Sequence, residues 1–208
     1  MARTGRLRVI AGTVGGRRLV APAGTDTRPT TDRVKESVFG ALGDRRLRDA
    51  AVLDLYAGSG ALAIEALSRG SARAVLVDRE RAAVDAIARN LDVTGLGDRA
   101  RAQRVAVEAF LRRDPPAEGP FDVVFLDPPY DLSAAELERV LARLAQGGWL
   151  VSGATVVVER GSGGARLDLP QRWTTTWERG YGDTLVTLAT ADDPIPNDRI
   201  PNDPTPDD

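Results

Sequence analysis

The sequence predicts an α/β fold built on an open, mostly parallel β-sheet that is covered by helices on both faces. Three observations between residues 50 and 190 support this prediction. Short apolar runs of strand length recur there, stretches with helical periodicity separate them, and the last two segments are joined by the tight turn Gly180-Tyr181-Gly182. Strands alternating with helices favour parallel pairing, and the final turn predicts an antiparallel hairpin that closes the sheet.

The individual elements follow from these patterns in order along the chain. The predicted parallel strands are AAVLDLY, RAVLVD, FDVVFLD and ATVVVE, the helices between them are ALAIEALSRG, RERAAVDAIARNL and SAAELERVLARLA, and the closing hairpin is RWTTTWERG with DTLVTLAT. Ahead of the sheet, LRVIAG and RRLVAP flank Gly15-Gly16 and predict a small β-hairpin. TTDRVKESVFGAL predicts a helix with Thr30 or Thr31 as its N-cap.

These elements divide the chain into three predicted segments, with the first boundary between residues 44 and 50. Residues 1–47 form a basic hairpin and helix, residues 48–190 form the sheet domain, and residues 191–208 form a tail. The tail repeats IPND, is rich in proline and acid, and has almost nothing apolar to bury. We therefore expect the tail to be disordered.

Composition excludes several classes of chemistry. The 208 residues include no cysteine and no histidine, which rules out disulfides, thiolate nucleophiles, ordinary zinc sites and imidazole acid–base catalysis. No apolar run is long enough to span a membrane, and the N-terminus lacks the apolar middle of a secretory signal. We expect a cytoplasmic protein, and nothing in the pattern demands more than a monomer.

Charge is unevenly distributed. Residues 1–48 carry 11 basic and 4 acidic side chains, whereas residues 49–190 carry 16 and 20 and residues 191–208 carry 1 and 6. A basic head on an acidic body is typical of a protein that meets a polyanion, although a merely solvated surface gives the same count. The predicted RNA-phosphate contacts on the N-terminal hairpin are Arg3, Arg6, Arg8, Arg17 and Arg18.

A nucleotide-binding turn follows the first predicted strand. Asp54-Leu55-Tyr56-Ala57-Gly58-Ser59-Gly60 leads into a helix, and Asp78 ends the next strand at the spacing of an acid that binds ribose hydroxyls. The alternative is a tight turn with an exposed Asp78. Ala63 stands at the third glycine position of the dinucleotide fingerprint, which that pattern allows. Asp54 would repel a pyrophosphate but suits a cation, so the turn favours S-adenosylmethionine over NAD.

The segment VVFLDPPYD, residues 123–131, predicts the chemistry. An exocyclic amino group on a nucleobase is a poor nucleophile because its lone pair is delocalised into the ring. Asp127 and the Pro128 carbonyl, held rigid by Pro129, can accept its two N–H bonds, and Tyr130 offers a face on which an extruded base can stack. Asp127 can also take the proton that the alkylated nitrogen loses. The alternative is that this segment is an ordinary Pro-Pro turn at a strand end, without a catalytic role.

These residues resemble a known family. The glycine turn, Asp78 and DPPY resemble class I S-adenosylmethionine-dependent N-methyltransferases. The segments RVIAGTVGGRRLVAP, RPTTDRVKESVFGAL, LDLYAGSGALAIEALSRG, FLDPPY and YGDTLVTL resemble, more specifically, the bacterial 16S ribosomal RNA (guanine-N2)-methyltransferases over about residues 7–189. The resemblance implies a Rossmann-like, seven-stranded methyltransferase fold, with a guanine amino group of the small ribosomal subunit as substrate.

The resemblance also implies roles for individual residues. The implied cofactor-binding residues are Thr31, Lys35, Glu36, Asp54, Tyr56, Gly58, Ser59, Gly60, Asp78, Arg79 and Val107. Arg28 and Arg33 are expected to face cofactor or RNA. Ala106, which we expect at the end of the third strand, departs from the acid or asparagine that family members often have there. That leaves the contact with the adenine amino group to backbone groups near Val107.

Other candidate residues and functions fit the sequence less well. Trp149, Trp173 and Trp177 are expected to fill the core or a hairpin rather than stack on bases. Glu65 is expected on the surface of an amphipathic helix, and the alternative is that it orients the glycine turn. A DNA adenine-N6 methyltransferase shares DPPY but needs a target-recognition region, for which there is no insertion. A protein glutamine methyltransferase would leave the basic head unexplained. Cytosine-C5 methylation is disfavoured by the lack of cysteine, and a non-catalytic RNA-binding assembly factor by the intact motifs.

Overall fold

A computed structural model of the chain describes residues 7–23, 32–164 and 167–192. Its centre is a seven-stranded sheet in the order β3-β2-β1-β4-β5-β7-β6. The strands are β1 Ala51–Leu55, β2 Arg73–Asp78, β3 Ala100–Arg104, β4 Phe121–Leu126, β5 Leu150–Gly161, β6 Trp173–Tyr181 and β7 Thr184–Ala191. Strands β1 to β5 are parallel, and β7 runs antiparallel to both β5 and β6. The predicted fold class, including the C-terminal antiparallel hairpin, is confirmed.

Six helices accompany the sheet in the described residues. They are α1 Asp32–Leu42, α2 Asp44–Leu47, α3 Ala61–Ser68, α4 Arg81–Thr94, α5 Val107–Phe110 and α6 Ala134–Gln146. Ser133 and Glu136 form a capping box that fixes the start of α6. Gly95, in the left-handed conformation at φ 69°, ends α4. No helix of the described residues is long and apolar enough to cross a bilayer.

The apolar runs form two hydrophobic layers, one on each face of the sheet. Helices α1, α3 and α4 pack on one face, and α5 and α6 pack on the other. Because β1 contributes to both layers, its five residues are all buried, as expected for a central parallel strand. Trp149 and Trp173 are buried in the second layer, and Trp177 is partly buried against the first. These positions agree with the predicted core role of the tryptophans.

The N-terminal residues 7–23, named here the N-terminal arm, form a short hairpin. Its strands meet at the antiparallel bridge Arg8–Arg18, flanked by bonds from Val9 N to the Arg17 oxygen (2.9 Å) and from Leu19 N to the Leu7 oxygen (2.8 Å). Val9 and Leu19 are buried in the same hydrophobic layer as α1, α3 and α4. The arm therefore shares the core of the sheet.

Several predictions lie outside the described residues. Helix α1 is described from Asp32, and the proposed N-caps Thr30 and Thr31 lie before it, outside the described residues. The same holds for Arg3, Arg6 and Arg28, and for the tail beyond residue 192. The division into segments 1–47, 48–190 and 191–208 stays a prediction.

Candidate active site

The candidate site lies where β1 and β4 are neighbours at the centre of the sheet. The chain leaves β1 towards one side and β4 towards the other, which is the switch point where open α/β sheets bind ligands beyond the carboxyl ends of their strands. Leu55 pairs with Leu126 in the sheet, so Tyr56 and Asp127 follow at the same level. The Asp127 N–H approaches the Leu55 oxygen at 3.5 Å. The structure thus brings the glycine turn and the DPPY segment together.

The glycine turn needs its two glycines for different reasons. Gly60 is left-handed (φ 75°) and precedes α3, and a Cβ there would lie 2.8 Å from Leu76 Cδ2. A side chain at Gly60 would therefore crowd the core between α3, β2 and α4. Gly58 is also left-handed (φ 55°), but the nearest atom to an added Cβ is the Tyr56 oxygen at 4.0 Å. Packing thus leaves the space beside Gly58 open for a ligand.

Asp78 holds the glycine turn from the neighbouring strand. Its Oδ2 accepts a hydrogen bond from the Gly58 N–H at 2.8 Å, and its Oδ1 accepts one from the Glu80 N–H at 2.9 Å. These bonds fix the carboxylate beside the turn, and each oxygen keeps a lone pair for another donor. Arg79 is exposed and pairs with Glu80 at 3.1 Å.

Asp54 is a buried acid beneath the turn. It is 1% exposed, and its Oδ2 accepts a hydrogen bond from the Ala63 N–H in the first turn of α3 at 3.1 Å. Burial raises the pKa of the Asp54 carboxyl well above its ordinary value, and the negative charges of Asp127 and Asp78 raise it further. The carboxyl therefore holds its proton more tightly than a surface acid, and a cation bound nearby would favour ionisation.

Tyr56 and the start of α5 form the wall beside Asp78. Tyr56 has a left-handed backbone (φ 60°), and its hydroxyl donates to Glu108 Oε1 at 3.1 Å. Burial and the Glu108 carboxylate together raise the pKa of Tyr56, so the phenol stays protonated. The Val105 N–H donates a hydrogen bond to the backbone carbonyl oxygen of Asp78 at 3.0 Å, which holds the segment before Val107 close to Asp78. The strand β3 ends at Arg104, so the expectation that Ala106 ends it is wrong by two residues. Ala106 stands at the N-cap position of α5, without a side-chain capping bond.

The DPPY segment extends from β4 over the edge of the sheet. Asp127 and Pro128 are partly buried, whereas Pro129 and Tyr130 are exposed. The Pro129 oxygen accepts a hydrogen bond from the Leu132 N–H at 2.9 Å, and the Pro128 oxygen has no donor within the described part of the chain. The Tyr130 ring is 67% exposed and lies beside Gly161 at the end of β5. An acceptor and an aromatic face are therefore available to a ligand.

Two charged residues are more deeply buried than expected, and the expectation that Glu65 lies on a helix surface is wrong. Lys35 is fully buried, donates to the Arg8 oxygen and lies 3.9 Å from Glu65 Oε2, so its ammonium does not line an open cofactor site. Burial lowers the pKa of Lys35. Glu65 is not on the surface: it is fully buried, accepts N–H bonds from Ile10 (2.6 Å) and Ala11 (3.0 Å), and pairs with Arg69 at 2.8 Å. The one sequence signal was an acid within the otherwise apolar run ALAIEAL.

The remaining charged candidates lie on the surface. The Arg8 side chain is 51% exposed and pairs with Asp32 at 2.9 Å, and Arg17 donates to the Val93 oxygen at 3.1 Å. Arg18, Arg33 and Glu36 are exposed. Arg8, Arg17 and Arg18 thus stand on the N-terminal arm as predicted, but their contact with RNA stays a prediction.

Comparison with known proteins places the chain among methyltransferases. A family model described as "Conserved hypothetical protein 95" matches residues 7–190. The chain is 35% identical to ribosomal RNA small subunit methyltransferase D of Escherichia coli strain K12, over 89% of this chain and 90% of the relative. It is 33% identical to the Haemophilus influenzae protein of the same name, over 86% of this chain and 90% of that relative.

Solved structures agree with these sequence matches. The structure of yhhF, a candidate methyltransferase from Escherichia coli, superposes with a TM-score of 0.80 and 33% identity, covering 90% of this chain and 99% of that one. An RNA methyltransferase from Salinibacter ruber, solved with S-adenosyl-L-homocysteine, shares the fold at a TM-score of 0.59 and 21% identity, over 82% of this chain and 97% of that one. The chain therefore belongs to the ribosomal RNA small subunit methyltransferase D family.

Proposed function

We propose that the protein transfers a methyl group from S-adenosylmethionine to the exocyclic N2 of a guanine in 16S ribosomal RNA of the small subunit. The cofactor is S-adenosylmethionine, as the class I methyltransferase fold and the family indicate. The relatives' names support ribosomal RNA as the substrate, and the basic N-terminal arm suits a polyanion. We place the activity in the cytoplasm, where small subunits assemble.

The residues at the switch point fit this cofactor. Three carboxyl groups, those of Asp54, Asp78 and Asp127, surround the glycine turn closely enough for Asp127 and Asp78 to raise the pKa of Asp54. Such a cluster suits a ligand that carries both a sulfonium and an ammonium. The space beside Gly58 lets a ligand reach the backbone of the turn, and Asp78 lies ready to accept ribose hydroxyls.

The proposed cofactor contacts combine the sequence prediction with the observed geometry. Asp54, Tyr56, Gly58, Ser59 and Gly60 would hold the methionine end, Asp78 the ribose, and Arg79 and Val107 the adenine. Thr31, Lys35 and Glu36 stay predicted contacts from the N-terminal side, and the Lys35 ammonium is buried beside Glu65.

The chemistry that we propose depends on the two acceptors at the end of β4. When bound, the cofactor supplies an electrophilic methyl group on its sulfonium. Asp127 and the Pro128 carbonyl accept hydrogen bonds from the two N–H groups of the guanine amino group. These bonds turn the nitrogen lone pair out of conjugation with the ring and towards that methyl group. The cofactor would give up this methyl group to the nitrogen, and the electron pair of the broken S–CH₃ bond would remain on sulfur. Asp127 then takes the proton that the nitrogen loses.

Tyr130 and the arginines position the RNA in this proposal. The exposed Tyr130 ring can stack on an extruded guanine, an interaction worth about 1–3 kcal/mol per base. Arg8, Arg17, Arg18 and Arg33 would contact phosphates and fix the orientation of the RNA without reading its sequence. Most of the rate enhancement would come from holding amine and methyl in line, because the sulfonium is already activated.

The position of Asp127 beside the glycine turn carries the proposal, and its substitution tests it. Asp127→Ala should bind S-adenosylmethionine but lose methyl transfer by about 10²–10⁴-fold, because it lacks an acceptor and a base. Asp131→Asn, which removes an exposed acid from the same loop, is the matched control and should keep its activity. The assay is incubation with labelled S-adenosylmethionine and unmethylated small subunits, followed by nucleoside analysis.

The same incubation, repeated with duplex DNA in place of the small subunits, separates the alternatives. Labelled N2-methylguanosine from the subunit supports the proposal. Labelled N6-methyladenine from duplex DNA would instead identify a DNA adenine methyltransferase. Cofactor binding with no transfer to either substrate would favour a non-catalytic assembly factor, and normal turnover by Asp127→Ala would exclude the role given to Asp127.

A further inference from the structure

Helix α4 carries a buried amide that contacts both the N-terminal arm and the glycine turn. Asn90 is 1% exposed. Its Oδ1 accepts a hydrogen bond from the Val20 N–H at 2.8 Å, and its Nδ2 donates to the Val20 oxygen at 2.9 Å and to the Ser59 oxygen at 2.9 Å. Both donor hydrogens and the acceptor are therefore used, and one side chain joins segments that are 39 residues apart in sequence.

The arm is also fastened to the helix that begins at the glycine turn. Besides the Glu65 bonds, Ser68 Oγ in α3 donates to the Ala11 oxygen at 2.6 Å and accepts from the Val14 N–H at 3.1 Å. The Thr13 N–H donates to the Ser68 oxygen at 2.8 Å. Glu65 and Ser68 lie one and two turns into α3, whereas Asn90 contacts the glycine turn itself. The arm and the cofactor turn are thus connected through buried polar contacts.

We propose that Asn90 is a positioning residue that couples cofactor binding at the glycine turn to the placement of the basic arm on RNA. The inference rests on the proposed function, since it takes the turn as the cofactor site and the arm as an RNA contact. The Ser59 oxygen and the Val20 backbone share one amide, so displacing either leaves a buried polar group without its partner. Holding Ser59 in place against a bound cofactor therefore favours one position of Val20 and of the arm.

Such coupling is reciprocal. If the cofactor raises the affinity for RNA by some factor, RNA raises the affinity for the cofactor by the same factor. We expect S-adenosylhomocysteine to tighten binding of unmethylated small subunits by about tenfold, within the usual range for coupled sites. Filter binding at fixed salt, with and without S-adenosylhomocysteine, measures this ratio.

Three variants separate coupling from simple loss of stability. Asn90→Ala should bring the ratio close to one. Thr94→Val is the matched control, because Thr94 is buried one turn further along α4 and its hydroxyl donates to the Asn90 and Leu91 oxygens of its own helix; it should keep the wild-type ratio. Ser68→Ala removes a different anchor of the arm and leaves the Asn90 bonds intact, so it should weaken subunit binding and still show a ratio well above one. A wild-type ratio in Asn90→Ala would overturn the proposal.

A measurement on the unmodified protein covers the case in which Asn90→Ala does not fold. Hydrogen exchange should show the Val20 amide slowing several-fold when S-adenosylhomocysteine binds, because its acceptor on Asn90 is then held more firmly. Bound S-adenosylhomocysteine with unchanged exchange at Val20 would contradict the coupling while leaving the methyltransferase proposal intact. Failure of S-adenosylhomocysteine to bind at all would contradict the proposed function itself.

Discussion

The two glycines of the turn can be separated by alanine substitution. In Gly60→Ala, the new methyl lies 2.8 Å from Leu76 Cδ2 and 3.2 Å from Ile87 Cγ1, and the backbone stays at φ 75°. The left-handed backbone costs about 1–2 kcal/mol and overpacking about 1–3 kcal/mol, a total of about 2–5 kcal/mol. For a domain of this size that corresponds to a fall in Tm of roughly 4–20 °C.

In Gly58→Ala, only the backbone term applies, because the nearest atom to the new methyl is 4.0 Å away. We expect a loss of about 1–2 kcal/mol, or roughly 2–8 °C in Tm, together with a large loss of S-adenosylmethionine affinity because the methyl occupies the ligand's approach. Gly95→Ala is the control, since Gly95 is also left-handed (φ 69°) with no atom within 4 Å and lies at the end of α4.

Thermal unfolding without ligand and calorimetric titration with S-adenosylmethionine test this separation. Gly58→Ala and Gly95→Ala should unfold at similar temperatures, and both temperatures should be higher than that of Gly60→Ala. Gly58→Ala should bind the cofactor weakly, whereas Gly95→Ala should bind it normally. Equal loss of Tm in Gly58→Ala and Gly60→Ala, or normal cofactor binding by Gly58→Ala, would refute the reasoning.

Two further predictions concern charge. Because burial raises the pKa of Asp54, the folded state binds this proton more tightly than the unfolded state, so wild-type stability falls as pH rises from about 3.8 through the raised pKa. Asp54→Asn removes that loss. Its free energy of unfolding minus that of the wild type should therefore grow over this pH window and then level off, as measured by urea titration; a constant difference would contradict a raised pKa. Replacing Arg17 and Arg18 by alanine should weaken subunit binding and flatten its dependence on salt, because fewer counterions are released, whereas Arg139→Ala with Arg143→Ala on α6, which packs on the other face of the sheet from the arm, should not. An unchanged salt slope would remove the arm from the RNA contact.

The sequence was informative where function depends on local pattern. Gly58 and Asp127 come after predicted strands, and Asp78 is the last residue of one. These residues were therefore expected at one edge of a parallel sheet, because the carboxyl ends of parallel strands meet there. The closing hairpin was predictable from its turn for the same local reason.

Contacts between distant segments were not predictable. Glu65 accepts bonds from residues more than 50 positions earlier, and its burial depends on an arm whose path only the folded structure shows. Lys35 was assigned to the cofactor by resemblance, but its ammonium contacts Glu65 and the Arg8 oxygen. Asn90 gave no signal, since an asparagine on a helix is usually a surface residue.

The direction of β7 also has a practical use. Because β7 runs antiparallel to β5, it starts opposite Gly161 beside the DPPY segment and finishes opposite Ala154, at the far edge of the sheet. A fluorophore, affinity handle or surface tether attached after residue 192 would thus be anchored on the side of the molecule remote from Asp127. Immobilised protein would present its catalytic edge to ribosomal particles in solution, which suits surface-based binding measurements.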